Sequence, residues 1–370
     1  MKLAIITHVE HIPKGETYFG YSAYVREINI WGKYASELIV VAPVVRQEIT
    51  KIHLDYAHKN IRLLKVPVVS LTSIWEVLRT LVLIPVLVIQ IWRAMRKADH
   101  IHLRCPGNLG LVGCCVQVLF PKKPKTAKYA GNWDPNAKQP RSYRWQKWIL
   151  SNTFLTRNMK VLVYGAWPRQ TKNVQAFFTA SYPKTKVEGV TERSFMTPLK
   201  FMFVGSLSSG KRPVYALQLI EALSKKGVNC ELEYFGEGVE RANLETYIKN
   251  NSLEQLVKLH GNQTAEFVEE SYKNNHFLIL PSQSEGWPKV VAEAMFWGCI
   301  PIATKISCVP WMLDNGNRGV LIEANLEEDV SYLLSIISEE NSLKEMSKNG
   351  QRWSQEYTLD KFEEEIQKFL

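Results

Sequence analysis

No CxxC pair occurs among the six cysteines, Cys105, Cys114, Cys115, Cys230, Cys299 and Cys308, and no histidine cluster accompanies them. A zinc site is therefore not expected. Most of these thiols stand in apolar runs, as buried cysteines do, and a reducing compartment is the simplest reading. No apolar run reaches the ~20 residues that a membrane-spanning helix needs. The most hydrophobic stretch, Thr80–Trp92, lies between Arg79 and Arg93 and contains Pro85. It suits a buried helix or one lying at an interface. The opening MKLAIITHVEHIP is too short and too soon broken for a signal peptide. Internal repeats and low-complexity tracts are missing too. With 370 residues, 46% of them hydrophobic, two globular domains are expected.

Charge is not balanced. The net charge is +10 and the excess is local. Residues 121–128 (PKKPKTAK) carry four lysines, and residues 138–148 (KQPRSYRWQKW) mix cations with Tyr143, Trp145 and Trp148. Cations beside aromatic rings suit an anionic membrane surface. A solvated basic face fits as well. Nucleic acid is not expected, because no recognised binding motif accompanies the charge.

Short β-rich runs alternate with longer helical patterns. Strands are expected at Lys2–Thr7, Glu37–Ala42, His100–Leu103 and Lys160–Tyr164, with helices at Ser22–Tyr34 and Ser73–Arg96. The pattern restarts near Phe201, after the polar stretch Ser181–Pro198, which reads as a linker. Strands then follow at Phe201–Val204, Glu231–Phe235, Val257–Leu259, Phe277–Leu280, Pro301–Thr304 and Gly319–Ile322. Strands separated by helices of this length form βαβ units and a parallel sheet. The expected fold is α/β: two Rossmann-like, doubly wound domains facing a central cleft. The boundary between them is expected near residue 190, with residues 1–190 in the first domain and 191–350 in the second.

The strongest chemical signal is Ser284-Glu285-Gly286-Trp287-Pro288-Lys289-Val290-Val291-Ala292-Glu293. It follows an apolar strand, and Pro288 suits the first turn of a helix. A helix start offers N–H groups and a positive dipole end to a phosphate. Glu285 in the loop can accept hydrogen bonds from sugar hydroxyls, and Glu293 can hold a ribose diol. A small-residue loop, Gly205-Ser206-Leu207-Ser208-Ser209-Gly210-Lys211-Arg212, ends an earlier strand and brings Lys211 to a departing diphosphate. A third loop, Phe235-Gly236-Glu237-Gly238, ends another.

These residues resemble the donor domain of retaining glycosyltransferase family 4, which has the GT-B fold. The family's E-x7-E element is similar to Glu285 and Glu293, its Gly-Lys loop to Gly205 and Lys211, and its GxG loop to Gly236 and Gly238. Leu259-His260-Gly261, Gly298-Cys299-Ile300-Pro301 and Gly316-Asn317-Arg318-Gly319 also match. The likeness runs from about Phe201 to Ile322. It implies that Glu285 contacts the donor sugar and Glu293 the ribose. Lys211 and the amides of Gly286, Trp287, Lys289 and Val290 would hold the sugar and diphosphate. The family usually has an Arg where this chain has Ser206, and Arg212 could substitute. Many members place a His after the fourth strand of the first domain; here Arg104 takes that position, with His102 beside it, and both become catalytic candidates. Only Gly20 stands where the family often has a Gly-Gly loop.

The resemblance implies an acceptor domain at 1–190, a donor domain at 191–350 and a C-terminal helix, 351–370, that crosses back to the first domain. It also implies a UDP- or GDP-sugar donor and transfer of a hexose-type sugar with retention, with no cofactor. No DxD motif is present, so no metal is expected. Together with the apolar and Trp-rich segments, it points to a saccharide or polyprenyl-diphosphate-linked acceptor at an anionic membrane surface on the cytoplasmic side. The rivals are a nucleotide-sugar epimerase of the same fold and a non-catalytic nucleotide or polysaccharide binder.

Overall fold

The computed structural model describes residues 1–370 apart from 51, 70–73 and 191. Ser73, the expected start of the second helix, and Thr191, within the expected linker, lie outside the described residues. Contacts divide the chain into two units: Met1–Phe177 with Glu363–Leu370, and Phe178–Phe362.

The first unit holds seven parallel strands: β1 (Lys2–Ile6), β2 (Glu37–Pro43), β3 (Ile61–Val66), β4 (His100–Cys105), β5 (Lys125–Tyr129), β6 (Met159–Tyr164) and β7 (Val174–Phe177). Their order is β7-β6-β5-β4-β1-β2-β3. Runs such as Leu3–Ile6 and Leu38–Ala42 are buried throughout, as strands covered on both faces must be. Helices α1 (Ser22–Gly32), α2 (Ile74–Lys97), α3 (Asn108–Val116) and α4 (Arg141–Ser151) accompany them. A small antiparallel ribbon, Ile12–Lys14, Thr17–Tyr21 and His53–Asp55, contains Gly20.

The second unit has six parallel strands: β8 (Leu199–Val204), β9 (Cys230–Phe235), β10 (Val257–Gly261), β11 (Phe277–Leu280), β12 (Ile300–Thr304) and β13 (Val320–Ile322). The order β10-β9-β8-β11-β12-β13 is that of a dinucleotide-binding fold. Its helices are α5 (Pro213–Lys225), α6 (Arg241–Asn250), α7 (Ala265–Asn274), α8 (Lys289–Phe296), α9 (Val309–Met312), α10 (Leu326–Ile337), α11 (Glu340–Gln355) and α12 (Leu359–Gln367), the last running on into the first unit's closing residues. Local chemistry sets several starts. Pro213 occupies the first turn of α5. The Thr264 hydroxyl caps α7 by accepting from Phe267 N at 3.3 Å. Phe201, Phe203, Leu232, Ile279 and Ile302 of the sheet pack against Leu217 and Ile220 of α5.

The basic run 121–128 is only partly a solvated segment: Lys122 is exposed, but the run continues into the interior strand β5, where Lys125 and Lys128 are buried. Lys123 Nζ donates to Met95 O and Arg96 O, each at 2.8 Å, and to Ala98 O at 2.5 Å, closing the end of α2 with a cation. The apolar stretch Thr80–Trp92 also divides by face. Leu87 and Ile91 enter the core, whereas Val82, Val86 and Ile89 are exposed.

One face of the first sheet is apolar, and the other, under α1, carries buried charges beside apolar residues such as Ile5 and Val40. Alternation along β4 puts His100, His102 and Arg104 on that second face, and the β4–β5 register sets Arg104 beside Lys128. Glu27 of α1 sits between them, bonded to Arg104 through Oε1 and to Lys128 Nζ through Oε2 at 3.1 Å. Burial pushes the Glu27 carboxyl up, but the charges of Arg104 and Lys128 outweigh it and hold the group at about 2. A depressed folded pKa stabilises the fold above the ordinary carboxyl value of 4.5, and that contribution is lost as pH falls toward 2. Glu27→Gln strands two buried cations and should cost the first unit about 3–5 kcal/mol at neutral pH. Urea unfolding at pH 7 should show this loss, and the gap to the parent should narrow near pH 3. A shift no larger than a surface substitution gives would refute the role.

Candidate active site

In the second sheet, β8 and β11 are neighbours, yet the crossovers that leave them run to opposite sides. Loops diverge at such a point, and a crevice opens at the carboxyl ends of the strands. The Gly205–Arg212 loop leaves β8 and the Pro281–Pro288 loop leaves β11, so the two strongest sequence motifs flank this crevice.

Main-chain bonds knit the loops together. Gly205 N donates to Phe235 O at 2.9 Å, Leu207 N donates to Glu237 O at 2.9 Å, and Glu240 N donates back to Leu207 O at 2.9 Å. Gln283 N donates to Gly210 O at 2.8 Å and ties the β11 loop to the β8 loop. The approach is close enough to forbid side chains. A Cβ on Gly236 would lie 1.9 Å from Gly205 O, and one on Gly238 would lie 2.3 Å from Leu207 O. Gly236 and Gly238 thus act first as packing surfaces for the β8 loop. Ser206 is exposed at its tip, and Arg212 takes a left-handed backbone, φ 51°, before α5.

Across the switch point the chemistry meets. Lys211 Nζ lies 2.5 Å from Glu285 Oε1, and the carboxylate is nearly buried. Pro288 is the residue before α8 rather than its first residue, so the helix opens with Lys289 and Val290. Their N–H groups point back along the helix axis toward its start. The Gly286 carbonyl accepts from Cys308 Sγ at 3.0 Å, which fixes the turn after Glu285. The Trp287 ring is buried against Trp311, Trp353 and Tyr357, so only the backbone of this residue can serve a ligand. Glu293 accepts from Ser181 Oγ at 2.5 Å through Oε1 and from the buried Tyr272 hydroxyl at 3.2 Å through Oε2. His260 stacks on Phe235 at 4.8 Å and reaches Glu233 at 3.0 Å.

The two candidates of the first unit stand elsewhere. His102 is fully buried, with its ring 4.4 Å from Trp31 and Nδ1 2.9 Å from Thr126 Oγ1. As placed it touches no solvent and cannot meet a substrate. Burial, followed by the charge of Arg104, holds it well below the ordinary histidine value, so it is neutral. Arg104 is engaged by Glu27 and lies 5.4 Å over the Tyr24 ring. Both belong to the charge layer, which explains their conspicuous positions near a strand end. Sequence reasoning missed Glu27 and Lys128, which complete that layer. It also passed over His8, which stands two residues past the end of β1. His8 touches Gly107 so closely that a Cβ there would lie 2.8 Å from its Nδ1. The signal for His8 was its place just after the first strand, at the switch point of the first sheet.

Residues 190–353 match the family model described as Glycosyl transferases group 1. The match falls within the second unit and covers less than half of the chain. Among curated relatives, an uncharacterized glycosyltransferase of Haemophilus influenzae is 30% identical over 50% of this chain and 50% of its own length. The lipopolysaccharide 1,6-galactosyltransferase of Salmonella typhimurium is 30% identical over 39% of this chain and 41% of its own. The chain thus spans about half the length of the curated relatives it matches, or less. Among solved structures, the lipopolysaccharide outer core galactosyltransferase WaaB superposes with a TM-score of 0.70 at 17% identity, covering 100% of this chain and 99% of that one. Anabaena HepE in complex with UDP gives 0.67 at 16% identity, over 100% and 99%. At such identities these neighbours show the fold, two Rossmann-like units of the GT-B class.

Gly236→Ala should force the β8 and β9 loops apart and cost about 1–3 kcal/mol, since a methyl group has no room there. Gly210→Ala, which meets nothing within 4 Å, should stay within about 0.5 kcal/mol of the parent. Urea midpoints of the two variants check the contrast, and equal midpoints would contradict the close packing.

Proposed function

We propose that this chain is a glycosyltransferase. It would move a hexose-type sugar from a UDP- or GDP-sugar to a saccharide or polyprenyl-diphosphate-linked acceptor, with retention at the anomeric carbon and no required metal. One observation carries the reading: Lys211 and Glu285 face each other across the switch point of a unit that matches the group 1 glycosyl transferases, beside the start of α8. The galactosyltransferase activity of the Salmonella relative and the UDP held by HepE support a nucleotide-sugar donor.

In this reading Glu285 is the counter-ion of Lys211 until donor binds. The diphosphate then takes over the ammonium charge, and the freed carboxylate accepts hydrogen bonds from sugar hydroxyls. As the bond from the anomeric carbon to the phosphate oxygen breaks, negative charge grows on the diphosphate. Lys211 and the first N–H groups of α8 stabilise it in a site already organised for it. The acceptor oxygen forms its bond on the same face, and its proton passes to the leaving phosphate oxygen. Glu293, positioned by Ser181 and Tyr272, would hold the ribose. The absence of a DxD motif supports metal-independent transfer.

The acceptor side rests on two exposed faces of the first unit. Arg141, Arg144, Trp145 and Trp148 recur at helical spacing on the outer face of α4, and both tryptophans are about two-thirds exposed. Val82, Val86 and Ile89 form an exposed apolar stripe on α2. No described helix is long and apolar enough to cross a membrane. Cations flanking interfacial tryptophans favour an anionic lipid surface, consistent with a peripheral enzyme at the cytoplasmic face of the plasma membrane.

Lys211→Ala should lower kcat at least tenfold, or ~1.4 kcal/mol of transition-state stabilisation. Unchanged turnover at saturating donor would refute its role. Glu293→Ala should chiefly raise the donor KM, and Tyr272→Phe should raise it less. Activity should survive EDTA; loss restored by Mn²⁺ would overturn the metal-independent reading. Trp145→Ala with Trp148→Ala should release the protein from anionic vesicles in a flotation assay, and undiminished flotation would remove the α4 face from the reading.

A further inference from the structure

A second cavity lies at the amino edge of the first sheet, the edge opposite the carboxyl ends of the strands. It encloses about 700 Å³ where β5 and β6 begin and where the chain enters β7. Six cations line it: Lys122, Lys125, Arg157, Lys160, Lys172 and Lys368. No carboxylate is among the lining residues. Lys368 alone of the six has a carboxylate partner in the described structure, Glu365 at 2.7 Å. The Lys125 ammonium is held in the buried interior by Phe120 O at 3.1 Å and Gln117 O at 3.4 Å, so one positive charge is fixed in place rather than carried on a waving side chain.

Like charges gathered round one cavity repel, each pair by a few tenths of a kcal/mol in water and by more where a wall excludes solvent. A multivalent anion reverses the sign of the whole set at once. The volume exceeds that of a single phosphate and falls within the range of small-molecule sites, roughly 300–1,000 Å³. Five of the six cations are lysines, whose ammonium groups act as separate point charges rather than as planar forks for one carboxylate. That arrangement matches several phosphates spread along one ligand.

We propose that this cavity binds an anion carrying two or more phosphate groups, at a site separate from the crevice of the second unit. The ligand is either a soluble polyphosphorylated molecule or the phosphorylated headgroup of a lipid. The proposal does not depend on the transferase reading, because none of its residues is assigned to donor or acceptor.

Inorganic tripolyphosphate, titrated calorimetrically into the full chain at low salt, is the probe. The expected result is saturable one-to-one binding that weakens as salt rises. Binding should fall at least about tenfold, a change of ~1.4 kcal/mol, in the Lys122→Gln, Lys160→Gln, Lys172→Gln triple variant. Arg141→Gln with Arg144→Gln should leave it unchanged. Circular dichroism melting checks that the triple variant folds; should it not, Lys160→Gln alone must still weaken binding measurably. Vesicles bearing a phosphatidylinositol bisphosphate separate the two sources: competition with tripolyphosphate assigns a lipid headgroup, and lack of competition assigns a soluble ligand. The inference is overturned if no saturable binding occurs, if the triple variant binds like the parent, or if Lys211→Ala rather than the triple variant abolishes binding.

Discussion

Two strands that lie side by side in the second sheet and more than seventy residues apart in the chain, β8 and β11, decide where the crevice of the second unit opens. Their crossovers leave in opposite directions, so their loops part and leave a crevice. Parallel pairing brings both strand ends to the same edge, and the Lys211–Glu285 contact bridges that edge. Without this strand order the two motifs would be unrelated loops. The glycines of the β9 loop are subordinate to the same geometry, since they allow the β8 loop to be held from behind by backbone alone.

The first unit meets a different constraint. Its sheet has one apolar face and one face carrying arginine, lysine and histidine, and α1 must cover the second. A single carboxylate, Glu27, makes that possible by answering two cations at once. Buried charges of this kind cost much to break and add little as a net gain, so the layer specifies how α1 seats on β4 and β5 more than it stabilises the fold. The same layer absorbs His102 and Arg104, which had looked like reactive groups at a strand end.

Much of the fold was legible in the chain. Apolar runs such as Phe201–Val204 and Phe277–Leu280 became strands, and the helix after Pro288 was read to within a residue. The strands that escaped notice did so for a physical reason. β5 reads KTAKY, and two lysines in five residues look solvated until a carboxylate from α1 and the carbonyls near Phe120 are supplied by tertiary contact. β3 has Arg62 and Lys65 within it, and β7 is only four residues at the sheet's edge.

By itself, the sequence determined the alternation of strands and helices, the restart near Phe201, and the glutamate, lysine and glycine positions of the second half. Those are local properties: period, turn chemistry and spacing. Tertiary structure alone decided that Lys211 and Glu285 form a pair, that Glu293 is held by Ser181 and Tyr272, and that the Trp287 ring is buried among other aromatics. It also decided which of the many lysines face water and which are enclosed. A charge's partner can lie anywhere along the chain, and burial depends on what packs over it, so neither can be read from neighbours in sequence.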